Sequence, residues 1–142
     1  MYKILYSDKL KLVVIKHFGS YVGAEAISAA KDFIADARFT KAHVVLQDMR
    51  LVTSMTLHDT DRAFAQQTAK KLEPLEGLKI ALLRRADNPT NKIHDARRLL
   101  IQQETPHPNH LLTTSFKVAA GWLGLDERDL SIFIQQNFDT QE

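Results

Sequence analysis

The sequence predicts one α/β domain built on a small mixed β-sheet, with the element order β-β-α-β-α-β-α-β-α-α. Short runs of aliphatic and β-branched residues alternate with segments in which apolar residues recur every three or four positions. Strands that alternate with helices favour parallel pairs joined by right-handed crossovers. The chain has 142 residues without repeat or linker, so we expect a single domain over residues 1–142.

Composition narrows the classes of function. The chain is 44% hydrophobic and 25% charged, as is usual for a globular protein, and it has no cysteine. Disulfides, cysteine metal sites and thiol catalysis are therefore excluded. The N-terminal segment lacks the apolar run of a secretory signal and no stretch is long enough to span a membrane, so we expect a cytoplasmic protein. A net charge of +2 is too small to indicate nucleic-acid binding.

The first elements are two strands and a helix. Tyr2–Tyr6 and Leu10–Lys16 are separated by a short polar turn, which predicts an antiparallel hairpin. A helical pattern begins at Ser20. Its apolar face is predicted to contain Ala24, Ile27, Ala30, Phe33 and Ile34.

The middle of the chain predicts strand, helix and strand. Lys41–Gln47 is the third predicted strand, and a polar stretch, Asp48–Thr56, follows it. Thr56 is a suitable N-cap for a helix that extends to Leu72. Leu78–Leu83 is almost continuously apolar, which is typical of a central strand buried on both faces.

The last third begins with Asn88-Pro89, a strong start for a helix that runs to about Leu100. His110–Thr114 is predicted to be a short final strand. Ser115 caps the next helix, which ends near Gly124. An amphipathic helix over Asp126–Gln136 closes the chain.

Three short segments carry a family resemblance: Ala37–Thr40 with the strand end Leu46–Arg50, the strand Lys79–Leu83, and the helix from Thr114 to the distinctive Trp122-Leu123-Gly124. Together they resemble bacterial proteins with a SpoIIAA-like fold, which is related to the STAS and the lipid-binding SEC14 domains. The resemblance implies a small mixed sheet covered by helices, with residues 1–124 as the common core and residues 125–142 as an added helix and tail.

The resemblance implies little chemistry. Anti-sigma-factor antagonists of this fold have a phosphorylatable serine in an Asp-Ser-Ser-Gly-like turn after the third strand. Here the corresponding segment, Val52–Asp59, has the sequence VTSMTLHD and contains no such turn. Ser54 is therefore not assigned as a phosphorylation site.

The candidate site lies at the carboxyl ends of two predicted parallel strands, where open α/β sheets bind ligands. A helix N-terminus at Asn88 attracts anions, and an arginine there is suited to bidentate contacts with phosphate or carboxylate. The alternative is structural: Asn88 caps its helix, Asp48 pairs with Arg50 and the other arginines are solvated. The candidate ligand-binding residues are Asp48, Arg50, Ser54, His58, Arg84, Asp87 and Asn88.

No catalytic residue, metal or cofactor is assigned. His107 and His110 are too few for a zinc site, which needs three or four protein ligands. The most basic stretch, residues 84–98, contains no aromatic residue to stack on bases, so we expect no nucleic-acid partner.

The sequence therefore favours a non-catalytic binding or regulatory module that recognises a protein partner or a small anionic or lipidic ligand. The alternative is a small enzyme with its site at the Asp48–His58 end of the sheet. We also expect a homodimer, because the last helix has more apolar residues than one face needs. These are Leu130, Ile132, Phe133, Ile134 and Phe138.

Overall fold

The computed structural model describes residues 1–22, 24–40, 42–56, 77–85 and 109–140. Within these ranges the chain forms five strands and three helices. The strands are β1 (Tyr2–Ser7), β2 (Leu12–Val22), β3 (Val44–Thr56), β4 (Ile80–Leu83) and β5 (His110–Thr113), and the helices are α1 (Ala24–Ala35), α2 (Phe116–Trp122) and α3 (Glu127–Thr140).

The strands form one sheet in the order β1-β2-β3-β4-β5. β1 and β2 are antiparallel and form the predicted hairpin. The pairs β2–β3, β3–β4 and β4–β5 are parallel. The predicted mixed α/β sheet is therefore confirmed. β4 lies between two strands with all four residues buried, as its continuous apolar sequence predicts.

One face of the sheet is covered by α1, and we call it the α1 face. Alternate residues of each strand point to the same side, so Val13 and Ile15 of β2 and Val45 of β3 pack in one cluster with this helix. Phe33, only 2% exposed, is the largest buried side chain that α1 contributes. The buried residues here include Val13, Ile15, Val45, Ala29, Ala30 and Phe33.

The opposite face, which we call the α2–α3 face, packs against the two C-terminal helices. The alternate strand residues supply its floor, and the helices cover them with small and aliphatic side chains. The cluster contains Leu5, Leu12, Val14, Leu46, Ala81 and Leu83 from the strands, and Ala119, Ala120, Leu123, Leu130 and Ile134 from the helices.

The ends of the C-terminal helices match their predicted caps. The Ser115 hydroxyl accepts a hydrogen bond from the Val118 amide at 3.1 Å. Gly124 follows α2 with a φ of 76°, a left-handed conformation that glycine adopts without steric cost. Asp126 accepts from the Asp129 amide at 3.0 Å at the start of α3.

Two predicted boundaries are wrong. β2 continues to Val22, so Ser20 lies in a strand and does not begin the helix. β3 begins at Val44 and continues to Thr56, whereas the sequence predicted a strand over Lys41–Gln47 followed by a polar stretch. The two extensions pair with each other, and this long-range pairing outweighs the polar composition.

The second half of β3 also contributes to the core. Met49 and Val52 are 3% and 1% exposed, and they pack with Tyr21 and Leu82. In α1 the predicted apolar face is partly wrong, because Ala24 is exposed whereas Ala29 is buried. The helices predicted after Thr56 and from Asn88 lie outside the described residues.

The apolar residues of α3 are mostly used within the chain. Leu130 and Ile134 are buried, Phe133 is half-buried, and Ile132 is 41% exposed. A homodimer therefore stays a prediction. No helix of the described residues is long and apolar enough to cross a membrane.

Candidate functional site

An ion trio lies at the carboxyl end of the sheet, on the α2–α3 face. Asp48 is completely buried, and Lys16 Nζ donates to its Oδ2 at 2.7 Å. The Arg50 guanidinium binds the same carboxylate side-on: its Nε donates to Oδ1 at 3.0 Å and its Nη2 donates to Oδ2 at 2.8 Å. The Arg50 backbone N–H adds a contact to Oδ1 at 3.1 Å. Both carboxylate oxygens are thus fully engaged.

Irregular pairing between β2 and β3 positions this trio. Lys16 pairs with Asp48, but Phe18 pairs with Leu51, so β3 has one more residue than β2 in this interval. Such a bulge re-aims side chains and is common beside functional sites. A second shift lies between Gly19 and Ser20, and together the two account for the 13 residues of β3 against 11 of β2.

The electrostatics keep Asp48 ionised. Burial acts to raise the pKa of its carboxyl group, but hydrogen bonds from Arg50 and the charge of Lys16 outweigh burial and hold the pKa below its ordinary value. An ionised carboxylate in the interior is tolerated because it is paired and hydrogen-bonded.

The lowered pKa predicts sensitivity to acid. A carboxyl group whose folded pKa lies below its unfolded value stabilises the fold above that unfolded value, near pH 4, and this stability is lost as pH falls through the folded pKa. We expect the difference in unfolding free energy between the wild type and D48N to shrink as pH falls below about 4. Urea unfolding across that range measures it. A difference that is constant with pH would contradict an ionised Asp48.

Arg50 retains unused donors that face outward. A guanidinium has five N–H donors, and only two of those on Arg50 are engaged by Asp48. The remaining donors are on Nη1 and the outer side of Nη2. The side chain is 35% exposed, and its guanidinium carbon lies 5.0 Å from the centre of the Phe116 ring. Asp48 and Phe116 therefore hold the Arg50 side chain in place. The donors that Asp48 does not engage form what we call the open guanidinium edge.

A second arginine provides an internal comparison. Arg38 grips Asp36 with the same pattern, through its backbone N–H, Nε and Nη2. That pair is a neutral unit at the surface, with the Arg38 side chain 67% exposed. The trio differs because Lys16 adds a second cation to one carboxylate. Its net charge is +1, and the exposed part of this charge is on Arg50.

The structure describes four of the seven predicted site residues. Asp48, Arg50 and Arg84 come to one end of the sheet, since Asp48 pairs with Leu83, the residue before Arg84. Strand alternation places Arg84 on the α1 face, opposite to Arg50. Ser54 lies farther along β3, where its hydroxyl donates to that of Ser20 at 3.0 Å.

The other three predicted site residues, His58, Asp87 and Asn88, lie outside the described residues. The predicted role of a helix N-terminus at Asn88 stays a prediction for the same reason. The strand end itself differs from the prediction, because Asp48 lies inside β3, whereas β4 and β5 both end at this level.

Lys16 was not predicted to be in the site. The signal was a lysine inside a run of β-branched residues: in a strand buried on both faces, a cation needs an acidic partner. The sequence does not identify that partner, because the pairing joins residues 32 positions apart.

A second buried polar network was also missed. His17 is fully buried on the α1 face, with Nδ1 2.5 Å from Glu25 Oε2 and Nε2 3.0 Å from the Gln47 side-chain nitrogen. In the tautomer that satisfies both contacts, Nδ1–H donates to Glu25 and the Gln47 amide donates to Nε2. The network joins β2, α1 and β3, and its burial indicates a structural role.

The trio does not provide acid–base chemistry. A general base must reach a substrate proton within hydrogen-bond distance, whereas Asp48 is 0% exposed and both its oxygens are occupied. Across the described ranges, no three His, Cys, Asp or Glu residues are grouped so that they could hold a metal ion. The chemistry that the trio supports is the binding of an anion.

The comparisons with known proteins locate the fold. No family model matches the chain, and no curated protein matches it. Among solved structures, the chain is similar to an uncharacterised protein of the DUF3478 family with a SpoIIAA-like fold from Shewanella loihica, with 14% identity and a TM-score of 0.52 over 87% of this chain and 92% of that one.

A second similar structure is the anti-sigma factor antagonist SpoIIAA in its unphosphorylated form. It has 13% identity and a TM-score of 0.47, over 81% of this chain and 89% of the other. At these identities the likeness concerns the fold. With its mixed five-stranded sheet covered by helices on both faces, this protein has the SpoIIAA-like fold.

Proposed function

We propose that this protein is a non-catalytic binding module that recognises a protein partner or a small ligand through an anionic group held by Arg50. The observation that carries the proposal is the open guanidinium edge, fixed by Asp48 and Phe116. Of the two cations that share the Asp48 carboxylate, Arg50 is the exposed one.

The geometry favours an oxyanion. The planar guanidinium fork matches the two oxygens of a carboxylate or phosphate, and charge-assisted bonds of this kind are stronger than neutral ones. Because Arg50 is already immobilised, binding loses less side-chain entropy than it would with a free arginine. Lys16 contributes by offsetting the charge of Asp48, which would otherwise repel the incoming anion.

The enzyme alternative lacks a supporting observation. Asp48 was one end of that predicted site, and it is buried and fully hydrogen-bonded to cations. His58, the other end, lies outside the described residues. Recognition without chemistry needs only the exposed edge of Arg50.

We expect inorganic phosphate to bind at Arg50 and to shift its side-chain Nε–H resonance in ¹⁵N NMR spectra. R50Q is expected to weaken phosphate binding by roughly tenfold or more, the loss of a charge-assisted bidentate contact. R50K, which keeps the charge without the fork, should fall between the two. A phosphate titration of all three proteins, followed by NMR, measures the effect.

R38Q is the matched control, since Arg38 makes the same side-on contact with its own aspartate. It should bind phosphate as the wild type does. Equal binding by R50Q and the wild type, or a shift at Arg38 as large as that at Arg50, would refute the proposal. Folded amide spectra for R50K ensure that a loss of binding is not a loss of structure.

A further inference from the structure

Beyond the ion trio, β2 and β3 continue as a two-stranded parallel ribbon. Their paired residues run from Phe18 and Leu51 to Val22 and Thr56, whereas β4 pairs with β3 only up to Asp48. The ribbon therefore extends past the end of its neighbouring strand, on the side of the sheet where Arg50 is exposed.

The two faces of this ribbon differ. On the α1 face, Val52 and Tyr21 are buried. On the other face, the hydroxyls of Ser20 and Ser54 meet at 3.0 Å and both residues are exposed. Alternation along β2 places Phe18 and Val22 on the face of Ser20, and Leu51, which pairs with Phe18, lies on the same face. Leu51 and Val22 are 45% and 42% exposed. We call Ser20, Val22, Leu51 and Ser54 the ribbon shelf.

We infer that the ribbon shelf binds a short acidic segment of a protein partner, with an acidic side chain on Arg50. This inference rests on the proposed anion site and adds the class of partner. Arg50 lies just before the ribbon shelf and supplies a cation. The shelf itself then presents the apolar Leu51, the hydroxyls of Ser20 and Ser54, and the apolar Val22, in that order.

The spacing of these rows selects a peptide over an acyl chain. Along β2 the rows at Phe18, which pairs with Leu51, at Ser20 and at Val22 are two residues apart, about 6.6 Å, whereas Arg50 directly precedes Leu51. An extended peptide presents its own side chains and backbone amides at the same interval, so apolar groups can meet Leu51 and Val22 while the serine hydroxyls bond an amide. An acyl chain offers the hydroxyl row no further partner, so covering it would desolvate two hydroxyls with only the bond between them in return.

The charge of the site selects an acidic segment. The trio has two cations against one carboxylate, and Leu51 directly follows Arg50 in β3. A carboxylate or phosphate on the peptide then pairs with the open guanidinium edge. Opposite charge also increases the rate of association and disfavours basic partners.

The experiment is a selection from a displayed library of random heptapeptides against the wild-type protein. We expect enriched sequences to have an acidic residue followed by apolar residues at alternate positions, and the best peptide to lose roughly tenfold or more in affinity for L51S. I132S is the matched control, because Ile132 is a similarly exposed aliphatic residue on α3, and it should bind as the wild type does.

Phosphate binding separates this inference from the proposed function. L51S should retain phosphate binding at Arg50, whereas R50Q should lose both phosphate and peptide. No enrichment, or equal peptide affinity for L51S and wild type while phosphate still binds, overturns the ribbon shelf and leaves the anion site. Loss of phosphate binding in the wild type overturns both. Binding of phosphatidylglycerol vesicles that L51S abolishes, without peptide binding, would replace the peptide with a lipid.

Discussion

Replacing Asp48 with asparagine is expected to lower the free energy of unfolding by about 3–5 kcal/mol. The substitution changes little in volume but removes the carboxylate that holds two cations. Lys16, with a side chain only 7% exposed, then loses the buried carboxylate to which it donates. Breaking a buried ion pair from one side is costly because the remaining charge has lost its water and gained nothing in exchange.

Two further variants test that reason. D36N removes the carboxylate of the matching surface pair, whose arginine is mostly exposed, and should cost only a small fraction of the D48N effect because water screens the pair. The double variant K16M/D48N removes the buried cation along with its partner and should recover part of the loss. Urea unfolding at neutral pH gives all three values.

The outcome for the double variant decides the explanation. If K16M/D48N is less stable than D48N, the loss of the Lys16–Asp48 pair is not the cause and Asp48 acts mainly through its hydrogen bonds to Arg50. If D36N is as harmful as D48N, burial does not distinguish the two pairs. Either result would contradict the electrostatic account of the trio.

Features that local chemistry decides could be predicted from the sequence. The hairpin, the buried strand β4, the Ser115 cap and the end of α2 at Gly124 each depend on a few neighbouring residues, and the structure confirms them. The mixed character of the sheet followed from the alternation of these elements.

The extension of β3 could not be predicted in this way. Its second half contains polar and apolar residues without a regular period of two, because two bulges interrupt the alternation. What makes it a strand is its pairing with β2 some thirty residues earlier. The sequence did predict that Asp48 and Arg50 lie near Arg84 at one end of the sheet, whereas their role in ligand binding stays a prediction. Lys16 emerged only from the long-range pairing of β2 with β3.

L130A is expected to lower the free energy of unfolding by about 2–5 kcal/mol, the usual cost of removing a buried leucine side chain. Leu130 is 0% exposed and lies in one cluster with Leu5 and Leu12 of the sheet. The sequence resemblance placed α3 beyond the common core, as an addition. Because α3 packs against the hairpin, it is part of the core of this chain. We therefore expect L130A to destabilise the whole fold.

I132A, two positions along the same helix, is the control. Ile132 is 41% exposed, so its truncation should change stability by no more than about 0.5 kcal/mol. Urea unfolding should show a lower midpoint for L130A with an unchanged slope, as expected if α3 unfolds together with the sheet. A loss confined to a separate early transition would show that α3 is an appendage that melts before the sheet, and that the fold of residues 1–124 is stable without it.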